Sequence, residues 1–371
     1  MLWTAAVLAG VVLLTWAWSG SDIANTDRLV ATAEPVQLAP AGVPAAGVRR
    51  VWAAASDPDA DGVVENYTVI VGAGDGLSGL DPVTGEERWH YRRTTARLCD
   101  WTAADGVVVA VFGTPERCTD AVALDAGTGA REWYRNVNFA GDMTLSSTNQ
   151  ITLASSPRGL AALGTTTSGK RWNYTPADGC QITDSAVGDV GAVLILDCGD
   201  LPPSVVTLDG FEGTQRWTAR LRGPEARLLA VTGVVGVLQP GPPSLLSVFD
   251  RDGRQTGSVS DLTQTSAPPE ARPRARLLGE RLLVFTGSTV SVLDAAGTAI
   301  TWTVPSATMP ALLGARLVLV EDGSLVERDV ATGAVLRTVP IEGAAPPGGG
   351  RLDQVGTIVV VSAPGQVAGY G

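Results

Sequence analysis

From Leu2 to Trp18 the chain carries no charge over 17 residues, a run at the lower limit of what a helix needs to cross a hydrocarbon core. Trp3 stands at one end, and Trp16 and Trp18 at the other, where indoles suit the two bilayer interfaces. The pattern predicts a retained membrane span over residues 1–20. A cleaved signal peptide is the rival reading; it lacks a basic start, and its only small-x-small site, Ala31-Thr32-Ala33, lies far downstream. Residues 21–48, with the stretch EPVQLAPAGVPAAGV, read as a Pro- and Ala-rich spacer that would hold the next domain off the membrane.

Beyond residue 48 the apolar positions fall in short runs, each followed by the same punctuation. The segment LDPVTGEERWHY sets the form: an apolar residue, Asp81, a turn with Gly85, then Trp89. It returns as Asp125, Gly129 and Trp133; as Gly164, Gly169 and Trp172; and as Asp209, Gly213 and Trp217. Weaker copies stand at Asp250 with Gly253, at Asp294 with Gly297 and Trp302, and at Asp329 with Gly333. Successive anchors lie 35 to 45 residues apart, the length of one propeller blade.

The copies have a physical content. The Asp accepts hydrogen bonds from the turn backbone, the Gly takes the left-handed conformation that closes the hairpin, and the Trp opens the next strand, filling space between blades. The C-terminal TIVVVSAPGQVAGYG supplies inner strands but no Trp-bearing strand, whereas VRRVWAA at residues 48–54 is such a strand with none before it. Trp52 is therefore expected to complete the last blade and leave no open sheet edge. The predicted fold is all-β: an eight-bladed β-propeller of four-stranded antiparallel blades over residues 49–371, preceded by one transmembrane helix.

On these motifs the chain resembles the pyrroloquinoline quinone enzyme-repeat family. That family is shared by quinoprotein dehydrogenases and by the lipoprotein propeller of outer-membrane β-barrel assembly, and the present repeats look more like the latter. The resemblance implies a propeller; a dehydrogenase would further imply a cation held by Glu, Asn and Asp beside the quinone, and no residue here matches those ligands position by position.

Composition narrows the partners. With 27 Lys and Arg against 38 Asp and Glu the net charge is -11, which repels nucleic-acid phosphates and excludes nucleic acid as a partner. Cys99 with Cys118, and Cys180 with Cys198, each bracket one hairpin, so a bridge is expected within each blade, in an oxidising compartment. Zinc is excluded by the spacing and by the single histidine.

Three further patterns fail as chemistry. Asp57, Asp59 and Asp61 begin like a calcium loop, but position 12 is Thr68, and the Ala-Asp-Gly-Val-Val that follows repeats at residues 104–108. Gly72, Gly74 and Gly76 lie between strands with no helix to complete a phosphate cradle. His90 lacks a nucleophile or second ligand nearby in sequence. The expectation is a non-enzymatic propeller with no cofactor, on the extracytoplasmic side of a single-pass cell-membrane anchor, serving as a platform for envelope proteins. A ligand-binding sensor and a quinone-dependent dehydrogenase are the alternatives.

Overall fold

The computed structural model describes residues 25–44, 46–57, 62–241, 243–260, 262, 273–343, 346 and 348–371. Among them the strands form eight antiparallel sets of four, arranged as a propeller. Blade 1 runs over residues 63–93, blade 2 over 97–140, blade 3 over 144–174, blade 4 over 181–220, blade 5 over 227–260, blade 6 over 274–305 and blade 7 over 311–342. Blade 8 takes three strands, Gly350–Val355, Ile358–Ala363 and Gln366–Tyr370, and a fourth from far upstream, Val48–Ala55.

The first strands of successive blades touch one another from blade 1 to blade 6, and again between blades 7 and 8, so they line the axis. Second strands are sandwiched on both faces. Val107–Gly113 and Ile358–Ala363 are buried along their whole length, which explains their continuous apolar sequences. Outer strands such as Gln215–Arg220 and Ile300–Pro305 alternate between half-buried and exposed positions, as a sheet wetted on one side should.

The hydrophobic core is distributed between blades. Ile70, Leu77 and Trp89 of blade 1 pack with Trp101, Val108 and Phe112 of blade 2, and an equivalent cluster fills each of the other interfaces around to blades 8 and 1, where Val69 and Leu80 meet Val360 and Val367. Trp101, which belongs to no repeat motif, leans on blade 1 at Gly72, where a Cβ would meet its Nε1 at 2.6 Å. That approach, and no phosphate, accounts for this glycine; Gly74 and Asp75 form the turn between two strands.

The ring closes at Trp52, which pairs across the sheet with Gly369, and Arg50 with Tyr370. Val48 and Arg49 also pair in parallel with Ile341 and Glu342, stitching blade 8 to blade 7. No sheet edge is left at the seam.

Two expectations are corrected. The predicted transmembrane helix is not an element of this fold: among the described residues no helix is long and apolar enough to cross a membrane, and Leu2–Trp18 lie outside the described residues. The membrane anchor, the single-pass localisation and the membrane as a partner are dropped with it. Of the expected spacer over residues 21–48, the described residues 25–44 do not stand off the domain either. Thr26–Leu29 add a fifth strand to the outer edge of blade 1, pairing with residues 90–93. From there the chain crosses one face: Ala31 N–H donates to Thr128 O at 2.9 Å, Arg88 to Ala33 O at 2.8 Å, and Ala41 N–H to Gly356 O at 2.8 Å. Val43 ends the crossing buried in the core of blades 7 and 8. Its prolines favour an extended course, and the extended course becomes a strap.

Candidate functional site

The repeat residues belong to one structural device used six times. Each tryptophan donates its indole N–H to a turn carbonyl of the following blade: Trp52 to Pro82 at 3.0 Å, Trp89 to Ala126 at 3.0 Å, Trp133 to Thr165 at 2.8 Å, Trp172 to Gly210 at 2.8 Å, Trp217 to Arg251 at 3.0 Å and Trp302 to Val330 at 3.1 Å. In every case the acceptor is the residue just after the Asp (or Gly164) anchor. The turn glycine then receives the ring. Gly85, Gly129, Gly213, Gly253 and Gly333 all have φ between +70° and +81°, and a Cβ on any of them would meet the preceding blade's indole within 2.7 Å. The glycine is fixed twice over, by its backbone and by the ring above it.

The anchors behave as Asx turns. Asp81 Oδ1 accepts from Val83 and Thr84 N–H, Asp209 Oδ1 from Phe211 and Glu212 N–H, and Asp329 Oδ1 from Thr332 N–H and Oγ1–H. These carboxylates are consumed by structure and are not available for catalysis.

Three blades depart from the pattern, and in two of them another donor takes the place of the indole. In blade 3 the spacing from Gly164 to Trp172 is unchanged, but the glycine comes one position later in the turn: the φ of Gly169 is not left-handed, and a Cβ there would meet only Thr167 Oγ1 at 3.8 Å. In blade 5 the tryptophan position is Gly257, and Thr256 Oγ1 donates to Ala296 O at 3.0 Å in place of the indole; Gly297, which keeps φ +69°, is covered by Val248. In blade 7 the position is Arg337. Its guanidinium donates to Val43 O of the strap and to Glu327 Oε1 at 2.9 Å, the residue directly across the strand pair. Glu327 is buried and takes a second ion pair from Arg316 at 3.1 Å.

The cysteines form two bridges. Cys180–Cys198 joins the start of a first strand to the end of the second, with the Cα atoms 4.0 Å apart. Cys99–Cys118 reaches farther, to the third strand, over 6.2 Å. Cys99 is the extra residue of a bulge between Leu98 and Asp100, and Gly113 lies opposite Cys118 on the strand between them. The expected first-to-second-strand geometry holds only for the blade 4 pair.

Of the remaining sequence candidates, Asp59 and Asp61 lie outside the described residues, while Asp57 N–H donates to Gly72 O. Among the described residues no group of three His, Cys, Asp or Glu could hold a metal ion. His90 Nδ1 shares a hydrogen with Glu87 Oε1 at 2.7 Å, and its Nε2 faces Asp27 of the added strand at 3.3 Å; its own strand lies between Gly76–Leu80 and that added strand.

Two concavities were not foreseen. The larger, about 600 Å³, opens between blades 2 and 3. Phe139, Met143, Leu160 and Leu163 make its floor, and its charged residues are Arg135, Arg158 and Lys170, with no acidic side chain among the lining. Arg135 is held by Ser168 O, while Arg158 and Lys170 are exposed. The second, about 550 Å³, is the central channel, lined by Arg274, Arg276, Arg351 and Asp353 and, from the strap, Pro40. Sequence periodicity marks neither, because the residues come from different blades and from outside the repeated motif.

Comparison with known proteins agrees with this geometry. A family model described as outer membrane protein assembly factor BamB matches residues 41–201. No curated protein sequence matches. Among solved structures, BamB from Moraxella catarrhalis superposes with a TM-score of 0.55 at 16% identity, covering 87% of this chain and 99% of that one. The computationally designed Ika8 protein gives 0.60 at 14% identity, covering 88% and 99%. A europium-containing methanol dehydrogenase gives 0.56 at 11% identity, covering 87% and 93%. The chain thus has a pyrroloquinoline-quinone-type β-propeller fold resembling the BamB family.

Proposed function

We propose that this chain is a non-enzymatic scaffold that docks a protein partner in the groove between blades 2 and 3. The observation that carries this reading is the groove itself: an apolar floor with a purely cationic rim on a chain of net charge -11. Such a surface favours an extended segment with apolar anchors and acidic flanks, because the rest of the molecule repels it and the rim attracts it. The catalytic alternatives lose their material: the turn carboxylates are bound to backbone, and the tryptophans cover glycines. The resemblance to an assembly factor points the same way.

The test places a photo-crosslinking residue at Asn138, an exposed groove position, and compares it with one at Thr218 on the outer strand of blade 4. A discrete adduct from Asn138 that is abolished by Arg158→Glu, with the same melting temperature as wild type, supports the docking site. Equal crosslinking from both positions, or adducts indifferent to Arg158→Glu, would sink it.

A further inference from the structure

The groove between blades 2 and 3 shares its packing with one of the two bridges. Val137, Phe139, Met143 and Ala154 line the groove and pack in one cluster with both Cys99 and Cys118. Phe139, on the groove floor, is the residue directly across the strand pair from Cys118. At the other end of the bridge, Asp100 follows Cys99, and its Oδ2 accepts the N–H of Leu145 at 2.6 Å. Leu145 belongs to the first strand of blade 3, which begins just after Met143. The bridge therefore bears on the floor from both blades, through Phe139 in blade 2 and through Asp100 and Leu145 in blade 3.

The hydrogen-bond ladder does not fix this region by itself. Each of the three strand pairs of blade 2 shifts register at the level of the bridge: between Leu98 and Asp100, between Phe112 and Gly113, and between Asn136 and Phe139. A bulge leaves its extra residue outside the ladder and bends the strand that carries it. With three irregularities at one level, the positions of Phe139 and Asp100 depend on the covalent link from Cys99 to Cys118. Deeper in the blade the pairing is regular: residues 101–104 match residues 107–110, and these match residues 122–125. Cutting the bridge thus loosens the level of the groove and leaves the blade paired. The Cys180–Cys198 bridge belongs neither to the groove lining nor to the cluster beneath it.

We infer that the Cys99–Cys118 bridge is a redox control on the groove. Oxidised, it holds the floor in the form that takes a partner; reduced, it lets Phe139 and Met143 leave their positions. This control rests on the docking reading of the groove. The reductant is a dithiol. One of its thiolates attacks Cys99 Sγ, since Cys99 is half-buried and Cys118 fully buried. The S–S bond breaks, and Cys118 departs as a thiolate that takes up a proton. The second thiol of the reductant then displaces Cys99, which takes up the other proton. The reductant closes to a disulfide, and the two electrons and two protons it loses are those the cysteines gain.

The test uses the full chain carrying Cys180→Ser with Cys198→Ser, so that only this bridge remains, and dithiothreitol as the dithiol. Met143 and Met309 are two of the three methionines in the chain. Met309 packs in the core of blades 6 and 7, so isotope-labelled methionine methyl groups report on the groove floor and on a control outside it. Reduction, verified by alkylation and mass spectrometry, is expected to shift or broaden the Met143 methyl resonance and to leave that of Met309 in place. It should also lower, at least about fivefold, the adduct between a photo-crosslinking residue at Asn138 and a synthetic peptide with Leu and Phe anchors between acidic flanks. Reoxidation restores both signals, and the wild type reduced in the same way behaves alike, so the result does not hang on the folding of the variant. A Met143 resonance that ignores reduction, or moves together with Met309, overturns the control, as does an adduct of equal yield in the two states. An adduct absent in both states while Met143 responds overturns instead the docking reading on which the control rests.

Discussion

Trp89 lies over Gly129 of the neighbouring blade, so close that a Cβ on the glycine would stand 2.7 Å from the indole ring. The same glycine has φ +71°, and its N–H donates to Asp125 O at 2.8 Å. Two constraints of different origin thus coincide at one residue, and they can be separated.

Gly129→Ala is expected to destabilise by more than the roughly 1–2 kcal/mol that a left-handed alanine costs, because the ring must also move. Gly106→Ala supplies the backbone cost alone, since its φ is +81° and nothing lies within 4 Å of the added methyl. Gly169→Ala should be close to neutral. Urea denaturation of the three variants measures the difference, and equal losses at Gly129 and Gly106 would remove the ring contact from the argument.

Removing one indole donor leaves its turn carbonyl unmet. Trp89→Phe keeps most of the packing but strands Ala126 O in a buried interface, and should cost about 1–3 kcal/mol. Trp217→Phe should cost less, because the hydrogen bond to Arg251 O is exposed. Calorimetric melting distinguishes them.

Blade 7 replaces the indole with charge, and the replacement has its own vulnerability. Glu327→Gln leaves Arg316 and Arg337 without their shared counter-ion, and since both guanidiniums are partly solvated the expected loss is about 1–3 kcal/mol, below the range for a fully buried pair. Arg337→Trp restores the repeat residue but removes the donor to Val43 O. Proteolysis of the strap, followed by mass spectrometry, should become faster in that variant.

Stability should also fall in acid through the turn carboxylates. The Glu212 N–H and the Arg216 side chain hold Asp209 below its ordinary value, and the Thr332 hydroxyl and N–H do so for Asp329. A depressed folded pKa gives stability that is present above the unfolded value of about 3.9 and is lost as pH drops through the folded one. Asp184 works in the opposite sense: burial raises it, so its ionisation disfavours the fold as pH rises. Asp329→Asn keeps a turn acceptor without a charge. Its melting temperature should fall less than that of wild type between pH 5 and pH 2, and parallel profiles would show that Asp329 contributes nothing.

The two bridges constrain loops of 19 and 18 residues, for which the chain-entropy account gives about 3 kcal/mol each. Reduction should lower the denaturation midpoint, and Cys180→Ser with Cys198→Ser should reproduce roughly half of the effect.

The propeller was legible where one short signal carries several duties at once. Asp81, Gly85 and Trp89 encode a turn, a left-handed residue and an interblade contact within nine positions, and the motif persists because losing any one exposes the others. The signal fades at Gly257 and Arg337 for a physical reason. There the interface is met by a hydroxyl or a guanidinium, which share no sequence resemblance with an indole. The bridge of Cys99 to a third strand was hidden by a bulge that spacing does not reveal. The strap was misread because its composition specifies an extended chain and not what that chain lies against. Arg274-x-Arg276 and Arg351-x-Asp353 did offer a cue, alternating charges on strands that should be innermost, but only the ring brings them together.

The strand that completes blade 8 is synthesised before all seven blades that separate it from its partner. Val48–Ala55 must therefore remain unpaired, or pair wrongly, until Gln366–Tyr370 exist to receive it. The last contact to form joins the two ends of a nearly finished ring, so loop-closure entropy is concentrated in a single late event. A stalled or truncated chain would keep an open edge at that seam, and the molecule's resistance to edge-to-edge association is in that sense conferred all at once.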